Sequence, residues 1–225
     1  MSLALFDLDN TLLAGDSDHA WGEFLVEQQL VDAEQYQREN DRFYQRYQQG
    51  ELNIADYLQF SLQPLVSIDR KTLDHLHQVF MVKKIEPMRL KKADALIEKH
   101  KSAGDTLVII TSTNRFITQA IADSLSVDDL LATELELDNQ PNQDGYQQFT
   151  GNIVGEPCYR EGKVTHLSRW LTKTEHSLSG SIFYSDSIND LPLLELVERA
   201  VAVDPDPQLR AHAEAKGWSI ISLRD

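Results

Sequence analysis

Apolar residues along this chain come in short, unbroken blocks. Leu3 to Asp7 is one, closed by an acid, and Thr106 to Thr111 is a second; Ser181 to Ser185, Ala200 to Val203 and Ser219 to Ser222 repeat the pattern. Blocks without polar alternation are what strands buried on both faces require. Helical spacing fills the gaps at Pro87 to Ala103, Arg115 to Ser124, Lys163 to Leu171, Leu191 to Glu198 and Pro207 to Lys216. Strands alternating with helices predict an α/β chain with a Rossmann-like, doubly wound parallel sheet.

Two stretches break the alternation. From about Asp16 to Lys84 the chain is polar, rich in Gln and aromatic residues, and helical in period, as in Trp21, Phe24, Leu25 and Gln28, with Asn53 at a helix start and turn signals at Gly50 and Pro64. This predicts a helical cap at 16–84 inserted into a core formed by 1–15 and 85–225. From Thr133 to Ile153, two extended stretches flank the turn-rich segment Asp138 to Gly145, which predicts a projecting β-hairpin. Tyr44, Tyr47 and Tyr57 read as packing residues of the cap, and His75 and His77, two apart in a helix, as solvent-facing.

Composition narrows the partners. Thirty-six acidic against 21 basic residues give a formal charge of −15, which repels nucleic acid and anionic lipid. No apolar run approaches the length of a membrane span, and no basic segment opens the chain. A single cysteine, Cys158, can form no internal disulfide, so the expected setting is the cytoplasm. The net charge does not exclude a small phosphorylated substrate, because a bound cation can set the local potential.

The chemistry gathers at strand ends. Asp7 and Asp9, two apart after the first strand, face the same side of an extended chain, in the crevice where open α/β sheets bind ligands. One carboxylate can attack phosphorus while the other donates and later accepts a proton. A second acidic cluster, Asp186 with Asn189 and Asp190, follows another strand and can complete a Mg²⁺ site with Asp7. Thr111 and Ser112 offer a hydroxyl and a backbone N–H to phosphate oxygens where the next helix is expected to begin. Lys163 opens a helix, an unfavourable place for a cation unless something uses it.

Taken in order, acid pair, hydroxyl, lysine and acid cluster resemble the four motifs of the haloacid dehalogenase superfamily over nearly the whole chain, and an insertion directly after the first motif resembles its phosphoserine-phosphatase-like branch. The resemblance implies a Mg²⁺-dependent phosphomonoesterase working through an aspartyl phosphate. It makes Asp7 the nucleophile and a metal ligand, and Asp9 the general acid/base that also offers its carbonyl to the metal. It has Thr111 and Ser112 bind phosphate, Lys163 balance the charge, Asp186 ligate Mg²⁺, and Asn189 and Asp190 support the site. Phosphoserine phosphatases of that branch read the substrate ammonium with an acid and its carboxylate with a cap arginine. Here Asp16 falls at the acidic position and Ser61 where the arginine would stand. Keeping the amine reader without the carboxylate fork favours an amino phosphomonoester lacking a carboxylate. L-histidinol phosphate, its imidazole meeting Asp18, Glu23 or a cap aromatic, is expected ahead of phosphoserine. A receiver-like phosphate acceptor is the alternative from another class, against which stand the long insertion and Asp9. A phosphomutase or a dehalogenase of the same superfamily is a further one, the dehalogenase disfavoured because it would not use Asp9 and Asp186.

Overall fold

The computed structural model describes residues 2–224. Strands β1 (Leu3–Phe6), β2 (Thr106–Asn114), β3 (Asp129–Thr133), β6 (Ile182–Ser185), β7 (Arg199–Val203) and β8 (Ser219–Ile221) form one sheet in the order β3-β2-β1-β6-β7-β8, every pair parallel. The expected hairpin is present as β4 (Leu135–Leu137) and β5 (Phe149–Ile153), paired antiparallel. The helices are α1 (Ser17–Glu27), α2 (Ala33–Gln48), α3 (Ile54–Ser61), α4 (Gln63–Ser67), α5 (Arg70–Phe80), α6 (Glu86–Met88), α7 (Lys91–Ser102), α8 (Arg115–Leu125), α9 (Glu161–Thr174), α10 (Leu191–Leu194) and α11 (Pro207–Lys216).

The unbroken apolar strands are explained by burial on both sides. In β1, Ala4 and Phe6 join one core cluster and Leu3 and Leu5 the other, and Leu107 and Ile109 alternate with Val108 and Ile110 in β2 in the same way. At about 25 cal/mol per Å² of apolar surface removed from water, these central strands anchor the fold.

Four expectations are corrected. The sequence pattern does not predict strand β3: Leu130 to Thr133 follows the paired acids Asp128 and Asp129, and among the described residues its one strand neighbour is β2. Helix α7 begins at Lys91 and not at Pro87, because Arg89 is extended and pairs antiparallel with Leu13. Strand β2 runs on to Asn114, so Thr111 and Ser112 lie in the strand and Asn114 caps α8. His77 is buried against Trp21, Phe80 and Phe116, with Nε2 hydrogen-bonded to the Ile117 carbonyl, whereas His75 is exposed.

Between Leu13 and Arg89 the chain leaves the sheet for helices α1 to α5. A Cβ at Gly22 would stand 2.5 Å from Asn40 Nδ2, so a side chain there would have to displace the buried Asn40 amide packed between α1 and α2. Phe43, Tyr57 and Phe60 form a small aromatic centre among these helices, and α5 runs into a π-helical turn at Met81–Ile85 before the chain rejoins the sheet.

Candidate active site

The sheet order reverses at β1, whose two neighbours lead away in opposite directions, and this is where a crevice opens beyond the strand ends. Phe6 is level with Ile109 and Tyr184, and the Asp7 amide still donates to the Tyr184 carbonyl at 2.9 Å. Asp7 therefore stands beside Ile110 and Ser185, and Thr111 and Asp186 leave the two flanking strands one residue further along.

Lys163 ties the first of these residues, Asp7, to Asp190. It is 1 % exposed, with Nζ 2.6 Å from Asp7 Oδ1 and 2.7 Å from Asp190 Oδ1. Its place is set by Gly162, where a Cβ would lie 2.0 Å from the Pro157 carbonyl oxygen. Ser185 Oγ donates to Asp190 Oδ2 at 2.7 Å. Thr11 Oγ1 lies 3.0 Å from Asp186 Oδ1 and 3.4 Å from Asp7 Oδ2, between the two carboxylates. Asp9 turns away from that pair: Oδ1 accepts from the Ser17 amide at 2.6 Å and Oδ2 from Thr113 Oγ1 at 2.8 Å. The Thr111 hydroxyl accepts from the Thr113 amide at 3.2 Å, and half-buried Ser112 lines the cleft above.

That cleft lies between the helical segment and the strand ends. Its wall includes Asp16, Asp18, His19, Tyr44, Tyr47 and Tyr57, and among the described residues lining it there is no arginine or lysine. Asp16 both caps α1, accepting from the His19 amide at 2.8 Å, and faces the cleft. Asp18 accepts from the Tyr57 hydroxyl. Tyr44 stacks on His19 with ring centroids 4.6 Å apart and is hydrogen-bonded to Asn10. The three tyrosines are thus cleft-lining residues as well as cap residues. Glu23 lies outside the wall and pairs with Lys84 at 3.4 Å. Ser61, one turn beyond Tyr57 on α3, is buried and its hydroxyl has no partner among the described residues. Arg42 pairs with Glu39, and Arg46 is exposed.

Negative charge outruns positive charge here. Burial raises Asp7 to about 7 even with Lys163 beside it, Asp190 and Asp9 adding to the rise. Burial, with Asp16 nearby, raises Asp9 to about 7 against the hydrogen bonds from Ser17 and Thr113. Asp16 rises to about 6 and Asp18 to about 7, both through burial first. Asp186 is raised well above the carboxylate range by burial and by Asp7 and Asp190. Burial alone would pull Lys163 down, but Asp190 and Asp7 together carry it above its usual value. Among the described residues no lysine or arginine pairs with Asp9, Asp16, Asp18 or Asp186.

Such a deficit fits a hard dication. Among the described residues no three His, Cys, Asp or Glu side chains form a metal cage. Asp7 and Asp186, drawn together around the Thr11 hydroxyl, make the two-carboxylate set that Mg²⁺ takes when water and substrate oxygens fill the remaining positions.

Sequence reasoning missed Thr11, Ser17, Thr113 and Ser185. Their hydroxyls or amides hold the acids in place, and the only signal was their position within a few residues of Asp7, Asp9, Thr111 and Asp186.

The comparisons with known proteins agree with this geometry. A model of the haloacid dehalogenase-like hydrolase family matches residues 4–195. A histidinol-phosphatase of Neisseria meningitidis serogroup C (strain 8013) is 41% identical over 226 residues, covering 99% of both chains. A phosphoserine phosphatase of Mycobacterium tuberculosis (strain ATCC 25618 / H37Rv) is 31% identical over 230 residues, 98% of this chain and 70% of its own. The crystal structure of a protein with unknown function from Bordetella pertussis Tohama I superposes with a TM-score of 0.89 at 40% identity, covering 99% of this chain and 98% of its own. Among the described residues no helix is long and apolar enough to cross a membrane. With its parallel sheet, its acids at the strand ends and a full-length phosphatase relative, the chain belongs to the haloacid dehalogenase-like hydrolase family and is a phosphatase.

Proposed function

We propose that the enzyme hydrolyses L-histidinol phosphate, with Asp7 as nucleophile. The observation that carries the substrate is the cleft wall: acids and tyrosines, and no guanidinium to fork onto a carboxylate. A substrate presenting an amine and an imidazole meets Asp16 and Asp18 as a cation and a ring donor, with Tyr44 and Tyr47 against its flat face. Phosphoserine would bring its carboxylate into the same acidic wall unpaired, at a penalty of about 1–3 kcal/mol or more. The full-length histidinol-phosphatase relative supports the same choice.

In the proposed reaction Asp7 attacks phosphorus and the ester oxygen departs with a proton from Asp9. Asp9 is suited to both its tasks because a carboxyl near pH 7 donates and accepts readily there. Thr113 and the Ser17 amide aim it. Lys163 balances charge on Asp7 and on the phosphoryl oxygens, and the Thr111 hydroxyl and Ser112 amide bind those oxygens. Water, deprotonated by Asp9, then cleaves the aspartyl phosphate. Asp7, Asp186 and the Asp9 carbonyl would hold a magnesium ion, which would supply neutralisation of the phosphoryl charge. Residues 16–84 act as the lid and 1–15 with 85–225 as the catalytic body. The buried, unpaired Cys158 suits a reducing cytoplasm.

The test is kcat/KM on purified enzyme with Mg²⁺ for L-histidinol phosphate against phosphoserine, in wild type and Asp16→Asn. A preference for phosphoserine overturns the substrate, and an unchanged KM in the variant removes Asp16 from its recognition.

A further inference from the structure

Helix α2 is 16 residues long, and its C-terminal end carries carbonyls that have no partner within the helix, at the negative pole of the helix dipole. The Tyr47 carbonyl, which also accepts from the Gly50 amide at 3.0 Å, and the carbonyls of Gln49 and Gly50 just past the helix meet donors from the other side of the cleft. Asn189 Nδ2 donates to the Tyr47 carbonyl at 2.9 Å, Gln208 Nε2 donates to the Gln49 carbonyl at 3.1 Å, and Arg160 Nη2 donates to the Gly50 carbonyl. Three side chains, from the residue before α9, the 3-10 turn after β6 and the first turn of α11, thus meet the end of one helix of the inserted segment. An apolar foot reinforces them, since Tyr159 packs into the cluster formed by Phe43 and Leu52.

Arg160 is the centre of this contact. Its guanidinium also reaches Asn189 Oδ1, from Nε at 3.2 Å and Nη2 at 3.0 Å, where the Tyr159 hydroxyl donates as well at 2.9 Å. Three donors on Oδ1 fix the Asn189 amide so that Nδ2 points to Tyr47. Arg160 holds this arrangement from a backbone at φ 52°, ψ −119°, a conformation that favours glycine. It precedes Lys163 by one helical turn, and Asn189 precedes Asp190, so the loops that grip α2 are those that carry the buried Lys163–Asp190 pair.

We propose that Arg160, with Asn189 and Gln208, latches the C-terminal end of α2 onto the sheet's loops and so sets how firmly the lid, with Tyr47 in the cleft wall, closes over substrate. Arg160 is a positioning residue in this account, its hydrogen bonds going to Asn189 and Gly50 and not to Asp7, Asp9 or Lys163.

Hydrogen–deuterium exchange of residues 44–53 in the Mg²⁺-loaded enzyme without substrate gives a reading independent of the substrate assignment, and kinetics with histidinol phosphate and with an aryl phosphate give a second. Arg160→Ala is expected to speed exchange at the end of α2 and to lower kcat/KM about tenfold, mainly through KM, because only the closed fraction binds tightly. Its pH profile should keep its shape. Arg160→Lys, which keeps the cation but cannot bridge Gly50 and Asn189, should lie between, and Gln208→Ala should move exchange and KM in the same direction by less. Unchanged exchange at 44–53 with unchanged KM in folded Arg160→Ala overturns the proposal, as does a displaced pH profile, which would put the guanidinium in the chemistry. Should Arg160→Ala fail to fold, unchanged exchange in both Arg160→Lys and Gln208→Ala overturns it equally.

Discussion

Thr113 Oγ1 donates to Asp9 Oδ2 at 2.8 Å, from β2 to the turn that follows its neighbour β1. This hydrogen bond favours the charged form of a carboxyl that burial otherwise holds near 7. Thr113→Val, similar in volume, should raise that value further and leave Asp9 less well aimed. A loss of about 1.5–3 kcal/mol, the usual worth of a hydrogen bond to a charged group, corresponds to roughly 10- to 100-fold in kcat. The pH–rate profile should move toward higher pH. An unmoved profile with wild-type kcat would contradict the role given to Asp9.

Asp7→Asn should abolish steady-state turnover while the protein stays folded, because it removes the proposed nucleophile without changing its size. Lys163→Ala should cost about 10²–10³-fold in kcat, as loss of one preorganised electrostatic donor does. It should also destabilise the protein by about 3–5 kcal/mol, since Asp7 and Asp190 would remain buried without their cation. Denaturant titration beside steady-state assays separates the two losses.

Asp18 bears on stability as well as recognition. Its carboxyl sits near 7 when folded and near 3.8 ordinarily, so between those values the folded form holds a proton that the unfolded chain has released. Stability from this group is therefore present below about pH 4 and lost as pH rises through about 7. Asp18→Asn should flatten that decline and melt above wild type at pH 8, with weakened substrate binding. Thermal midpoints measured in substrate-free buffer across this range decide it, and parallel curves for the two proteins would refute the assignment.

Chelation should silence the enzyme, and re-addition of Mg²⁺ should restore activity and raise the thermal midpoint. Because Asp186 is held well above the usual carboxylate range, metal binding must displace a proton, and the apparent Mg²⁺ affinity should rise with pH. Asp186→Ala should need far more Mg²⁺ for half-maximal activity. Full activity after exhaustive chelation would separate the two acidic clusters into unrelated features.

The sheet and the stretches around Asp7 and Asp186 were legible because each is an apolar block closed by acids, whereas Thr111 closes an apolar block without a charge and Lys163 stood out only as a cation at a helix start. Asp7, Lys163 and Asp190 meet in space as that reading expects. Thr11, Thr113 and Ser185 were not legible, since a hydroxyl near a helix start looks like a cap whether or not it holds an acid. Tyr44, Tyr47 and Tyr57 were assigned to packing because helical period says which residues share a face and not what that face meets. Arg160 and Gly50 stand 110 residues apart, and their contact depends on two loops whose meeting no local pattern records.

The antiparallel bridge between Leu13 and Arg89 brings the two ends of the helical excursion side by side. Everything that reads the non-phosphate end of the substrate in this account, Asp16, Asp18, Tyr44, Tyr47 and Tyr57, lies between those two residues, while the groups that act on phosphorus lie almost wholly outside them. Inheritance can therefore edit one contiguous cassette, entered and left at one neck, and change the diet of the enzyme, provided that Ser17, whose amide aims Asp9, and the grip on residues 47–50 are kept. The same neck marks where a protein engineer would cut to graft a foreign lid onto this sheet.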